Sequence, residues 1–117
     1  METQENVEQF LVSFHQKAKV FGMIFRDDRG KNMQTLLDLE ITPKYREKII
    51  MQLQSSDYVD GPVEDTLNNL SPMWVFGKEI KGKEVYIKIS MGMSGSCTIC
   101  ISFHIAEYKL NYKFKKQ

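Results

Sequence analysis

Apolar residues recur every three or four positions in the first part of this chain and every second position in the last part, and that one change of period limits the folds open to it. Val7, Phe10, Leu11, Phe14, Ala18 and Phe21 keep helical spacing with Glu, Gln and Lys between them, which predicts an amphipathic helix over residues 5–21. "GMIFRDDRGKN" interrupts it with Gly22, Asp27, Asp28 and Gly30 and reads as a turn or short extended piece. A second helix is expected over 31–39, with Met33, Leu36 and Leu37 inward. Thr42-Pro43 starts a third, because Thr caps free N–H groups and Pro is tolerated at the first helical position. It should run to about Leu53 and bury Tyr45, Ile49, Ile50 and Leu53. Residues 55–72 are polar and turn-rich and read as a long surface loop, a length uncommon without a task. Beyond them "MWVFGKEI", "EVYIKISM", "CTICISFH" and "LNYKFK" alternate with period two, and connectors as short as "KGK" make neighbouring strands antiparallel. The expected fold is α+β, with N-terminal helices packed on one face of a C-terminal antiparallel sheet.

With 117 residues the chain has room for one core, so a single domain is expected over 1–117: a helical part over about 5–53, the loop 55–72 and a β-meander over 73–115. No apolar run reaches the length of a membrane span, and "METQENVEQF" is acidic where a secretory leader would be basic and then apolar. A cytoplasmic protein with no membrane partner is therefore expected. Cys97 and Cys100 form a C-x-x-C, but the motif lies in a strand-like run rather than at a helix start, and only His15 and His104 could complete a zinc site. Small strand or core residues in a reducing compartment are the expectation, with no cofactor and no metal. The net charge of +1 conceals an asymmetry: residues 1–71 carry 8 Lys/Arg against 12 Asp/Glu, and residues 72–117 carry 8 Lys against 3 Glu. The second part is where a polyanion would bind, although lysines on a sheet rim also guard against edge aggregation.

The central hairpin divides into two faces. Val85, Ile87 and Ile89 point one way with Ile99, Ile101 and Phe103, while Tyr86, Lys88, Cys100, Ser102 and His104 point the other. A turn near Ser94 sets Ile87 opposite Ile101, Ile89 opposite Ile99, Tyr86 opposite Ser102, and Glu84 across from His104. The aliphatic face belongs under the helices, leaving Tyr86, Lys88, Ser102 and His104 exposed. An antiparallel sheet always has a polar side, and a lone histidine there is commonly just solvated. The residue types nevertheless suit one reaction: an imidazole that exchanges protons at neutral pH, a phenol that donates, and a lysine that offsets charge on a phosphate. Cleavage of RNA by its own 2′-hydroxyl needs those groups and no metal.

"LLDLEIT…IIMQLQSSDY", "WVFGKEIKGKEVYIKI" and "ICISFH", spread over residues 31–104, are similar to the MqsR family of bacterial type II toxins, whose fold is related to RelE. The most specific part is "VYIKI" followed one strand later by "ISFH". The resemblance implies a RelE-like fold and an endoribonuclease that cuts mRNA and is neutralised by a cognate antitoxin, expected to carry a helix-turn-helix domain. It matches the family's strand tyrosine to Tyr86 and its basic residue after "SF" to His104. Two family positions differ: a lysine after an acidic-aromatic pair is Asp60 here, and a polar residue after the tryptophan is Val75. His104 then serves as acid or base, with Lys88 and Lys78 supplying the missing positive charge and Lys113 and Lys115 of "KFKK" adding RNA contacts. The alternative is a non-catalytic module that holds RNA or a protein partner on the same face.

Other features carry less. "KNMQTLLDLEITPKYREKIIMQL" has a helix-turn-helix outline with Lys44, Arg46 and Lys48 in its second helix, but its turn carries Glu40 in place of glycine. His15 reads as a surface residue, "GMSGS" as a hairpin turn, and Trp74 and Phe76 as aromatics packed beneath a helix or loop.

Overall fold

A computed structural model describes residues 2–65 and 71–115 of the chain. It is an α+β fold of three helices and one five-stranded mixed sheet. Helices α1 (Gln4–Phe21), α2 (Lys31–Leu39) and α3 (Pro43–Met51) precede most of the sheet, whose strands are β1 (Met23–Phe25), β2 (Tyr58–Val63), β3 (Met73–Ile80), β4 (Lys83–Ser90) and β5 (Thr98–Ile105). Their spatial order is β1-β5-β4-β3-β2. Among the described residues no helix is long and apolar enough to cross a membrane.

The helices start where polar side chains can take up free backbone N–H groups. Thr3 accepts from the Asn6 N–H at the head of α1, and Thr42 accepts from the Tyr45 N–H with Pro43 in the first turn of α3. All three helices contribute to one core with the inner face of the sheet: Val7, Leu11 and Phe14 from α1, Leu36 and Leu39 from α2, Ile49 and Ile50 from α3, against Phe76, Val85, Ile87, Ile89 and Phe103. Phe14, Phe76 and Phe103 are fully enclosed, each stabilising the fold by about 1.5–3 kcal/mol relative to exposure. Phe10 of α1 stacks on Trp74 at 4.4 Å and on Phe76 at 6.3 Å, so the two β3 aromatics do lie beneath a helix.

Several elements depart from the sequence expectation. "GMIF" forms β1, which runs parallel to β5 and makes the sheet mixed rather than purely antiparallel. The expected loop 55–72 begins with a 3-10 turn, Ser55–Asp57, and continues as edge strand β2, paired with β3 through irregular register; its residues 66–70 lie outside the described residues. "DGPV" reads as a turn, but an edge strand tolerates Gly and Pro where a central one does not. "LNYKFK" is no strand. Its alternation is satisfied across the sheet rather than along an edge: Leu110 is buried against Gly77, Tyr112 donates to Glu84, and Phe114 stacks on Tyr58 at 5.4 Å.

Helix orientations also differ. Met33 and Leu37 of α2 are exposed, and Asn32 and Thr35 turn inward with Leu36. On α3, Tyr45 is exposed and Arg46 is 2% exposed, its guanidinium paired twice with Asp27 at 2.9 and 3.1 Å and lying 3.8 Å from the Phe25 ring centre. A buried, doubly paired Arg46 is not a DNA-reading residue. His15 is half-buried and its Nε2–H donates to the Ile50 carbonyl at 3.0 Å, closing the end of α3 against α1 rather than facing solvent.

Candidate active site

The site lies on the sheet face turned away from the helices. The β4–β5 ladder is shifted by two residues from the expected register: Tyr86 pairs with His104, Ile87 with Phe103 and Lys88 with Ser102. A two-residue slip preserves the faces, so the four polar side chains still share one surface. The next pairs are Ile89 with Cys100 and Ser90 with Ile99, which leaves Ile101 as the extra residue of a bulge. Below the bulge the alternation reverses, so Cys100 enters the core instead of the polar face. There its thiol is pushed up to about 12, chiefly by burial. Cys97 is half-buried and donates to the Phe21 carbonyl; both cysteines are free.

The bulge and the shortness of β1 together leave β5 backbone groups without strand partners. Helix α2 supplies them. The Asn32 side chain donates to the Ile101 and Arg26 carbonyls and accepts from the Phe103 N–H at 3.0 Å, and Thr35 accepts from the Ile105 N–H at 3.3 Å. His104 is thus bracketed on both sides by backbone held from α2. No period in the sequence announces this, because inward Asn and Thr break the apolar stripe that marks a helix face.

The Tyr86 and His104 rings stack at 5.1 Å and 18°. His104 Nδ1 lies 3.0 Å from the Ile105 carbonyl; a carbonyl only accepts, so Nδ1 carries the hydrogen and the neutral ring presents Nε2 as a proton acceptor. The Lys88 Nζ sits 5.8 Å from the Tyr86 ring centre. Burial foremost, then the neighbouring Tyr108 and the charge of Asp60, raise the Tyr86 phenol above its ordinary value, so it remains protonated at neutral pH.

Residues 106–110 wall this group into a cleft of about 260 Å³ lined by Tyr86, Lys88, Ser102, His104, Glu107, Tyr108 and Leu110. Glu84 holds that wall rather than facing His104. Its backbone carbonyl accepts from the Ala106 N–H at 2.8 Å, and its carboxylate from the Leu110 N–H and the Tyr112 hydroxyl, each at 2.9 Å. Gly77 admits the wall: a Cβ there would meet the Tyr112 hydroxyl at 2.5 Å and Leu110 Cδ1 at 2.6 Å. Glu107 pairs with Lys31, which lowers its carboxyl below the usual range by hydrogen bond and charge. Sequence reading missed Glu107 and Tyr108 because "IAEYK" reads as a connector, and Leu110 because "LNYKFK" reads as a strand.

Of the nominated cations, only Lys88 lines the cleft. Lys78 pairs across the ladder with the core residue Val85, on the helix side of the sheet, and its Nζ lies 3.4 Å from Asp57. Lys113 borders a separate hollow with Asp60, Tyr58 and Glu2, and Lys115 Nζ lies 4.7 Å from the Tyr112 ring centre. Lys116 lies outside the described residues. Among the described residues no cluster of three or more His, Cys, Asp or Glu has the arrangement of a metal site.

Compared with known proteins, the chain matches no family model, no curated protein and no solved structure.

Proposed function

We propose that the chain is a metal-independent endoribonuclease of the toxin kind, cutting mRNA within this cleft and held in check by an antitoxin protein. The observation that carries the reading is the stacked Tyr86–His104 pair sharing one cleft with Lys88. The similarity of "VYIKI" and "ISFH" to the MqsR family adds to it. Asp60 and Val75, the two positions that differ from the family, align with Lys88 and Ser102 beside the Tyr86–His104 row, so in this reading Lys88 supplies the positive charge that the family's lysine would give.

In this reading His104 Nε2 takes the proton of the ribose 2′-hydroxyl as its oxygen bonds to phosphorus. The bond from phosphorus to the 5′-oxygen breaks, and the leaving oxygen takes the Tyr86 proton. The products are a 2′,3′-cyclic phosphate and a 5′-hydroxyl, and the His104 proton returns to the phenolate by way of solvent. Lys88 offsets the added charge on the phosphate oxygens.

The test is His104→Ala, assayed on RNA with end-group analysis of the fragments. Loss of a positioned proton acceptor should slow cleavage by about 100- to 10,000-fold while RNA binding persists. Undiminished cleavage or growth arrest would refute the role of His104. A wild-type chain that binds RNA or a protein and never yields a cyclic phosphate would instead be the binding module.

A further inference from the structure

Tyr108 is 70% exposed, an unusual placement for an aromatic ring on the wall of a half-buried cleft. It stands at the crest of a loop fixed at both ends by one residue, since Glu84 binds Ala106 on one side and Leu110 on the other. Leu110 is 4% exposed and fills the space over Gly77, so the loop has a rigid footing. Tyr86 already has His104 against its ring and Lys88 nearby, whereas among the described residues no ring stacks on Tyr108. The neighbouring carboxylate, Glu107, is turned to Lys31 and its charge is offset there.

From this geometry we propose that Tyr108 is the stacking platform for an unpaired nucleobase beside the scissile phosphate, so that the cleft accepts single-stranded RNA; this rests on the ribonuclease reading above. A base engaged in a duplex has both faces covered by its neighbours and cannot also cover the phenol ring. An unpaired base can leave its stack, lie on the exposed ring and bring its own phosphate toward Lys88 and the Tyr86–His104 pair. Stacking of this kind tolerates any base, so the platform selects strandedness before sequence.

The experiment uses the full chain and an uncleavable 2′-O-methyl oligonucleotide carrying 2-aminopurine, with cleavage of ordinary single-stranded and hairpin-paired RNA measured in parallel. The wild type should quench the fluorophore and cut the single strand in preference to the duplex. Tyr108→Ala should bind about 5- to 100-fold more weakly, lose the quench and raise KM with kcat little changed, while Tyr108→Phe keeps both binding and quench. The exposure of the side chain predicts an unaltered thermal midpoint in both variants. If the wild type cuts RNA and Tyr108→Ala binds and quenches equally, the platform is overturned and the ribonuclease reading stands. Equal cutting of duplex, or a fall in kcat alone, likewise overturns the platform. A wild type that neither cuts nor binds RNA removes both.

Discussion

Removing Asp27 should harm this fold more than removing the arginine it pairs with. Both guanidinium ends of Arg46 bond Asp27, the side chain is 2% exposed, and its Nε already has no hydrogen-bond partner. Asp27→Ala therefore strands a buried cation, a change that costs about 3–5 kcal/mol. The Phe25 face at 3.8 Å offsets part of this, which places the expectation near the lower end, about 3 kcal/mol. Arg46→Met removes the charge itself and keeps most of the volume, while the remaining Asp27, 27% exposed, can be hydrated; about 1 kcal/mol is expected. The assay is urea unfolding followed through the fluorescence of Trp74, the chain's one tryptophan. With a slope of about 1–3 kcal/mol per molar urea, the midpoints of the two variants should differ by about 1 M. The double variant should be more stable than Asp27→Ala alone. Equal midpoints for the two single variants, or a double variant worse than Asp27→Ala, would refute the reasoning.

Gly77→Ala should lift Leu110 and Tyr112 off the sheet, since its Cβ would lie 2.5 Å from the Tyr112 hydroxyl; about 1–3 kcal/mol of destabilisation in the same urea assay is expected, with faster proteolysis after residue 105. Asn32→Ala leaves the Phe103 N–H without its partner and should cost about 1–3 kcal/mol, with amide exchange at Phe103 rising well before exchange at Ile87 on β4. The Tyr112 phenol is raised by burial and then by its bond to Glu84, so its contribution is complete below the tyrosine value of the unfolded chain, about 10, and declines as pH rises through the higher folded value. Comparison of thermal midpoints at pH 8 and above pH 10 should show an alkaline loss that is reduced in Tyr112→Phe.

The period of the apolar residues was enough to place three helices before an antiparallel meander, because burial of one face dictates a spacing that any helix or strand must keep. It also put Tyr86, Lys88, Ser102 and His104 on one surface, since a two-residue slip in register leaves faces unchanged. The helix start at Thr42-Pro43 is likewise local chemistry. What the sequence could not decide are the contacts between distant residues. Asn32 and Thr35 turn inward only because β5 has unpaired backbone beyond β1 and at its bulge. Arg46 is buried because Asp27 and Phe25 meet it, Lys78 falls on the helix side because Lys78 and Tyr86 face oppositely in the β3–β4 ladder, and residues 106–110 become the wall of the cleft because Gly77 and Glu84 receive Leu110. Each of those outcomes depends on which polar group or empty space the assembled sheet offers, and periodicity records only which side of an element is greasy.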